Sequence, residues 1–418
     1  MITRLPRILI PNGPLIDPRF RLLWGGQTLS YAGSAVFPVA LTIALIKDNG
    51  SATDLGLVAA SSMLAEALFF LFGGVWADRL PRQLVMVGAD TVRCIAHVLI
   101  GLELASGRTD LSHLVIVALV VGTANAFFLP ASSGLVPATV APELLQKANA
   151  LMGASRHGAT LVGPAIATTL ALTVGAGWAL VLDGITFAVS AITLALLKVP
   201  HVKPTVREPF HVELRHGWDE VRKRTWLWSN LVGHGLWNLA RTTYFVVAPM
   251  VVIANLGGEV AWGTITQGGA VGALVGALIA LRVRPRRPLL VANICLAMGA
   301  LPLPLIALEA PTYVIAVAAG LMSVALGLFG ALWSTTLQQH VPDNLISRVS
   351  AYDWLVSIAL APLSLALAAP LALRIGSSET LFAAAALMVT SALGSLLVAD
   401  VRRLPPEPAV VSRKEARA

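Results

Sequence analysis

Charge is scarce in this sequence: only 12% of its 418 residues are Asp, Glu, Lys or Arg, whereas 56% are hydrophobic. Average soluble domains carry about 25% charged residues. A water-soluble fold could not cover so much apolar surface, and the mean hydropathy is +0.77. The shortage of charge therefore excludes an ordinary soluble enzyme and predicts a chain surrounded mostly by lipid.

Cysteine is equally scarce, and the two residues present, Cys94 and Cys295, lie inside apolar stretches. Neither a disulfide framework nor a metal site is expected from them. The sequence has no Walker-type phosphate loop, so we expect no ATP hydrolysis by this chain. The first 18 residues lack the apolar core of a signal peptide, and none is expected. Because the sequence shows neither a metal site nor a phosphate loop, we expect no cofactor.

Twelve apolar runs of spanning length follow one another along the chain. About 20 apolar residues suffice for one transmembrane helix, and such helices tolerate the 35 glycines and 25 prolines. The sequence therefore predicts an all-α membrane protein with twelve transmembrane helices. The predicted limits are 20–46, 55–77, 84–105, 112–136, 146–172, 175–199, 226–254, 260–281, 289–308, 312–337, 350–373 and 379–400.

The longest internal hydrophilic segment lies at the middle of the chain. We predict a six-helix bundle over 1–199, a linker over 200–225, a second bundle over 226–400 and a tail over 401–418. Within the linker, the pattern of 214–224 predicts a short amphipathic helix on the membrane surface.

Basic residues show on which side of the membrane the loops lie. With the N-terminus inside, 24 of the 30 Lys and Arg fall on the inner side, and three fall on the outer side. This asymmetry predicts that both termini and the linker are cytoplasmic. It also explains the net charge of +8 by contact with lipid headgroups, without a nucleic-acid partner.

The loop between predicted helices 2 and 3, GGVWADRLPRQ (73–83), combines a glycine, an aspartate and arginines. It resembles the loop motif of the major facilitator superfamily at Gly74, Asp78, Arg79 and Arg82. Pro81 stands where that family usually has glycine. The resemblance implies two six-helix bundles around a central cavity that opens alternately to each side, with this loop as a conformational latch.

Further stretches resemble one branch of that superfamily, the macrolide-efflux and enterobactin-exporter-like proteins. They are FRLLWGGQTLSYAGS (20–34), GADTVR (88–93), VGP (162–164), LDGITFAVS (182–190) and VPDNLISRVSA (341–351). This resemblance implies a proton-driven exporter, and the pair Gly163–Pro164 resembles the antiporter motif of helix 5. The glycines that normally flank this pair are missing.

Ionisable residues inside spans are costly and need a reason. Glu66 lies midway along helix 2, where apolar surroundings favour the neutral carboxyl group, so it is a candidate proton carrier. We expect it to pair with Arg156 of helix 5 in one protonation state. The alternatives are a permanent ion pair for Glu66 and a substrate-binding role for Arg156. Asp183 is the next candidate for proton coupling.

Other charged residues are assigned to the latch or to structure. Asp90 and Arg93 share a face of helix 3 and predict a structural pair near the loop motif. Asp353 is predicted to cap helix 11 or to bind Arg79 or Arg82. Together with Arg348, these residues complete the predicted latch.

Polar and aromatic residues within spans are candidates for a largely apolar substrate cavity. Interhelical hydrogen bonding is an equally good interpretation of each one singly. Besides Arg156, the cavity candidates are Gln27, His234, Trp237, Asn238, Arg241, Tyr244 and Gln267.

Together these observations predict a monomeric secondary transporter that exports bulky amphipathic small molecules by proton exchange. An importer or lipid flippase on the same fold is the alternative. A polytopic membrane enzyme, the rival from another class, would need a catalytic cluster that the sequence lacks, and a channel would need a filter loop.

Overall fold

The computed structural model describes residues 13–47, 51–107, 110–199 and 208–406. Within these residues the chain is helical, and twelve helical units are long enough to cross a membrane. We number them as spans 1 to 12: Pro18–Leu45, Thr53–Arg79, Arg82–Ala105, Leu111–Thr139, Leu145–Thr173, Ala176–Ala195, Thr225–Asn255, Gly258–Ala280, Pro288–Ala307, Thr312–His340, Ile346–Leu365 continued by Leu367–Ile375, and Ser377–Leu397.

The predicted all-α, twelve-helix fold is confirmed. Ten spans meet the length and hydropathy expected of a membrane helix, and span 11 does so as a bent pair. Span 5 is long enough at 29 residues, but Lys147, Arg156 and His157 make it more polar. The largest boundary errors are residue 199 against Ala195 and residue 350 against Ile346. The apolar runs of the sequence therefore located every span, although span 5 falls below the hydropathy of the other eleven.

Span 11 is bent by 47° between Leu365 and Leu367. Pro370 has no N–H to donate to the carbonyl of residue 366, and its ring crowds that carbonyl. The bend therefore lies where the helix lacks a hydrogen bond.

Spans 1 to 6 form one bundle and spans 7 to 12 a second. In the first half, a Cβ on Gly122 of span 4 would lie 2.2 Å from the carbonyl oxygen of Ser62 in span 2. In the second half, a Cβ on Gly272 of span 8 would lie 2.1 Å from the carbonyl oxygen of Gly320 in span 10. Backbone contact between helices therefore occurs in both halves, as small-residue packing in membranes allows.

The linker contains the predicted amphipathic helix, at Phe210–Lys223; residues 200–207 lie outside the described residues. We call it the surface helix. Its position on the membrane surface stays a prediction, and it also packs against span 11: the Tyr352 hydroxyl donates to the Leu214 carbonyl oxygen at 3.0 Å. Gly217 permits this contact, since a Cβ there would lie 3.0 Å from the Cβ of Arg348.

One end of the bundle, which we call the motif end, carries the loop between spans 2 and 3 and the surface helix. Span 1 begins there and span 12 ends there. The two halves meet at this end, and it therefore frames the candidate functional site.

Candidate functional site

Asp78, the aspartate of the loop motif, lies at the first turn of span 11. Its carboxylate accepts a hydrogen bond from the Arg348 backbone N–H at 3.3 Å and lies 3.4 Å from the Arg348 guanidinium. Span 2 comes this close because Gly74 has no side chain: a Cβ there would meet that of Ala351 at 2.5 Å. A buried carboxylate at a helix N-terminus is favoured by the helix dipole.

Arg82 joins both halves at the same point. Its guanidinium donates to Asp78 at 3.1 Å, to the Gly134 carbonyl at 2.8 Å and to the Ser347 hydroxyl at 3.0 Å. It also donates to the Asp343 carbonyl. One arginine therefore satisfies acceptors from spans 2, 4 and 11 and from the loop before span 11.

Glu213 of the surface helix completes this cluster, and the sequence did not single it out. Its carboxylate accepts from Arg79 at 3.0 Å and from Arg348 at 3.1 Å. The side chain is only 6% exposed, so both contacts are largely shielded from water. We call the cluster of Asp78, Arg79, Arg82, Glu213 and Arg348 the ionic interface.

A second contact between the halves involves spans 5, 8 and 10. Asn149 donates to the Thr335 hydroxyl at 2.9 Å and to the Gln338 side-chain oxygen at 2.7 Å. Gln146 donates to the carbonyl oxygens of Ala280 and Val283. We call this set of neutral contacts the amide interface.

Every hydrogen bond, ion pair and ring contact between the halves of the described chain lies in the motif-end part of the spans. The one farthest from that end is the stacking of Phe70 on Trp354, with ring centroids 6.4 Å apart. Beyond this level the halves share no such contact in the residues that the structure describes. The conformer is therefore closed at the motif end.

Glu66 lies one helical turn beyond Phe70, thirteen residues from either end of span 2. This is about 20 Å of depth at 1.5 Å per residue. Its half-buried carboxylate accepts a hydrogen bond from Asn125 of span 4 at 2.8 Å. The Asn125 side-chain oxygen in turn accepts from Arg93 at 3.2 Å. The predicted pair of Glu66 and Arg156 is not formed in this conformer. Instead, the Asn125 amide connects Glu66 to Arg93.

Arg93 is buried inside the first half, between the rings of Phe128 and Phe187 at 4.1 and 4.7 Å. It pairs with Asp90, as the spacing predicted. The assignment of this pair to the latch is wrong, because Asp90 also accepts from Ser190 of span 6 at 2.7 Å and faces away from the second half.

Gln27 extends the same network by donating to Ser190 at 3.0 Å. It is 1% exposed, so its prediction as a cavity residue is wrong. The side chains of Glu66, Asn125, Arg93, Asp90, Ser190 and Gln27 thus form a continuous polar chain across five spans. Glu66, at one end of this chain, lies one turn from Phe70 on the face of span 2 that turns toward the second half.

Asp183, the second proton-coupling candidate, is fully buried on span 6. Its carboxylate lies 2.7 Å from Nδ1 of His97 on span 3, and the His97 ring stacks on Phe37. The pair is enclosed within the first half. A carboxylate there meets no space between the halves, which makes Glu66 the better placed group.

Arg156 is exposed on span 5 and contacts Tyr31 of span 1. Its guanidinium lies 5.1 Å from the ring centroid and donates to the hydroxyl at 3.3 Å. Seven residues further along span 5, Gly163 packs against Ala35, where a Cβ would come within 2.2 Å. With Pro164 next to it, this position holds spans 1 and 5 together.

Asp353 does not take part in the ionic interface, contrary to prediction. It accepts from the indole of Trp333 at 2.8 Å and lies 3.7 Å from the ring of His234. Both partners belong to the second half, and His234 is buried against Trp333 rather than exposed in a cavity. Asp353 is seven residues into span 11, too deep to cap the helix.

The remaining cavity candidates of span 7 divide into two groups. Trp237 and Tyr244 are buried, the first donating to the Leu296 carbonyl at 2.9 Å and the second packing on Trp262, so their cavity assignment is wrong. Asn238 and Arg241 are half-buried, and on span 8 Gln267 is exposed. Among these, only Arg241 is charged.

A separate apolar groove of 470 Å³ lies on the outside of spans 2, 3 and 4. Exposed Trp76, Leu84 and Val92 line it. It does not include Glu66 or Arg156 and faces away from the second half.

Known proteins resemble this chain over nearly its whole length. The family model of the Major Facilitator Superfamily matches residues 23–357. Macrolide efflux protein A of Streptococcus pyogenes is 22% identical over 393 residues, which cover 92% of this chain and 97% of that protein. Multidrug efflux pump Tap of Mycobacterium tuberculosis is 25% identical over 408 residues, with coverage of 94% and 96%.

Solved structures share the fold at lower identity. A bacterial homologue of the iron transporter ferroportin, in an outward-facing state, superposes with a TM-score of 0.76 at 17% identity and covers 91% of this chain and 98% of its own. The transporter FucP, in its outward conformation, gives 0.72 at 13% identity, with coverage of 91% and 99%.

Proposed function

The chain belongs to the Major Facilitator Superfamily, and from this membership we propose that it is a proton-coupled exporter of bulky amphipathic small molecules. As a multi-pass membrane transporter it is not an enzyme. Export is supported by its similarity to two efflux pumps along almost their full lengths. The basic residues, 24 inside against three outside, support cytoplasmic termini and a cytoplasmic motif end.

Alternating access is supported by the way in which the motif end is closed. No covalent link other than the linker joins the halves in the described chain, and their contacts are polar side chains on small-residue surfaces. Such contacts can separate without exposing a large apolar core. With the motif end cytoplasmic, the conformer described above is the outward-facing state, and breaking both interfaces opens the inward-facing state.

Proton coupling is carried by Glu66, the half-buried carboxylate at mid-depth beside the space between the halves. We propose that a proton and a positively charged group of the substrate compete for this carboxylate. Asn125 keeps Glu66 in place in either state, since its amide can donate to a neutral or an ionised carboxyl group. Exchange of one ligand for the other, on opposite sides of the membrane, is antiport.

The test is export by Glu66→Gln in everted vesicles with a panel of fluorescent amphipathic compounds, cationic and zwitterionic, that all carry a positively charged group. Glutamine keeps the shape of the side chain but cannot be ionised, so gradient-driven accumulation should fall at least about tenfold, while passive exchange persists. The matched control is Glu259→Gln, which removes an exposed carboxylate at the far end of span 8.

If Glu66→Gln accumulates substrate as well as the parent, Glu66 is not the carrier. If the parent moves its substrate only down a gradient, or in the opposite direction, the protein is an importer or flippase instead of an antiporter.

A further inference from the structure

Two arginines at mid-depth, one in each half, have no carboxylate partner. Among the described residues no Asp or Glu oxygen lies within 4.0 Å of the guanidinium groups of Arg156 or Arg241. The other arginines described above, at positions 79, 82, 93 and 348, each have a carboxylate within that distance. Charged groups inside a membrane protein normally have such a partner or serve a transported ligand. These two residues therefore need a separate explanation.

Arg156 faces the second half. It lies seven residues, or two turns, beyond Asn149 on span 5, so both side chains project from the same face. Asn149 contacts span 10 in the amide interface, whereas at the level of Arg156 the halves have separated and its guanidinium is exposed. In the part of the chain that the structure describes, its guanidinium contacts Tyr31 of its own half.

Arg241 lies on the face of span 7 that turns toward spans 10 and 11. It lies two turns beyond His234, which contacts Trp333 of span 10 and Asp353 of span 11. These two spans meet the first half at the motif end. The guanidinium of Arg241 is held between the rings of Trp237 and Phe245 at 5.7 and 5.2 Å, and its buried Nε has no hydrogen-bond partner.

Stacking on aromatic rings leaves the edge of each guanidinium available, and that edge is the part that binds carboxylates and phosphates in a forked geometry. We propose that Arg156 and Arg241 form an anion subsite of the transport cavity. The exported molecule then carries an acidic group as well as the cationic group that competes with the proton at Glu66. This inference rests on the proposed export function and narrows its substrate class to amphipathic zwitterions, such as modified amino acids or small peptides.

The aromatic residues beside the two arginines fit the same class. Tyr31 brings apolar surface next to Arg156, and the exposed Phe245 does so next to Arg241. A molecule with an apolar body and a terminal acid would contact both the rings and the guanidinium. A purely cationic drug would be repelled by the two arginines and attracted by Glu66 alone.

The experiment compares three probes that share one fluorophore: Nε-dansyl-lysine, its methyl ester and its Nα-acetyl derivative. Their binding to the purified full chain in lipid nanodiscs is measured by dansyl fluorescence, without a proton gradient. We expect the free amino acid to bind about tenfold more tightly than the ester. Arg156→Gln and Arg241→Gln should each reduce this preference, and the double variant should abolish it.

Arg374→Gln is the control, because it removes an exposed arginine at the far end of span 11. Arg156→Lys and Arg241→Lys keep the charge and should retain part of the preference, which separates loss of the subsite from misfolding. The anion subsite is wrong if the free amino acid binds no better than the ester or if its preference survives in the double variant. Gradient-driven export of the ester by the parent would then still support the proposed function.

Discussion

Spans 2 and 11 meet through charged side chains, whereas spans 5, 8 and 10 meet through neutral amides and alanines. The loop between spans 8 and 9 is the counterpart of the motif loop, and it has no aspartate; its Arg284 donates to the Glu143 backbone carbonyl at 2.6 Å. Hydrogen bonds to charged groups contribute about 1.5–3 kcal/mol each, against about 0.5–1.5 kcal/mol for neutral ones. Closure at the motif end therefore depends mainly on the ionic interface.

The difference in chemistry also suits the two interfaces to different roles. The ionic interface consists of buried charged groups that share partners, so the loss of the Asp78 carboxylate leaves both Arg82 and Arg348 short of a counter-charge. The amide interface can lose one contact and keep the others. The first is suited to selecting one conformer, and the second to aligning the halves as they close.

The largest effect is expected from Asp78→Asn. Removing one partner from a buried ion cluster costs about 3–5 kcal/mol, so the closed conformer should lose most of its population. Transport should fall at least about tenfold at unchanged expression. Spin labels on the exposed residues Leu84 and Leu397, at the motif ends of the two halves, should report a longer distance.

Asp400→Asn is the control for that experiment, since it neutralises an exposed aspartate at the same end. An unchanged label distance together with normal turnover in Asp78→Asn would mean that the ionic interface does not select the conformer.

A smaller effect is expected from Glu213→Gln. One of its partners, Arg79, has a side chain that is 21% exposed, so solvent screens part of that interaction. We expect a loss of transport of about threefold to tenfold and faster hydrogen exchange in the surface helix. Asp219→Asn in the same helix neutralises a more exposed carboxylate and should change neither. Equal hydrogen-exchange rates of the surface helix in the two variants would show that Glu213 does not hold this helix in place.

The smallest effect is expected from Asn149→Ala. Two neutral hydrogen bonds are lost, but Gln146 and the alanine contacts of span 5 remain. The closed conformer should therefore be destabilised by about 1 kcal/mol, the lower end of the range for two such bonds. Turnover should change less than about fivefold. The control Asn255→Ala removes an exposed amide at the far end of span 7. A larger loss in Asn149→Ala than in Asp78→Asn would reverse the order of the two interfaces.

The sequence located the spans and assigned Asp78 and Arg348 to the same latch. Hydropathy determines how deep a residue lies in the membrane, and the position of a loop along the chain determines at which end of the bundle it lies. The sequence did not locate Glu213, since a carboxylate in a polar amphipathic segment is normally solvated. It also paired Glu66 with Arg156 from depth alone. Depth says nothing about helix rotation, and it is rotation that turns Glu66 toward Asn125 and places Asp353 against Trp333.

Spans 2 and 4, and likewise spans 8 and 10, pack so closely at their glycines that even a methyl side chain would not fit between the two backbones. Helices in such contact cannot slide or separate without losing it along their length. We therefore expect the distance between two labels, one on each helix of such a pair, to stay constant when the two halves separate. This constant distance can serve as the reference when label distances between the two halves are measured.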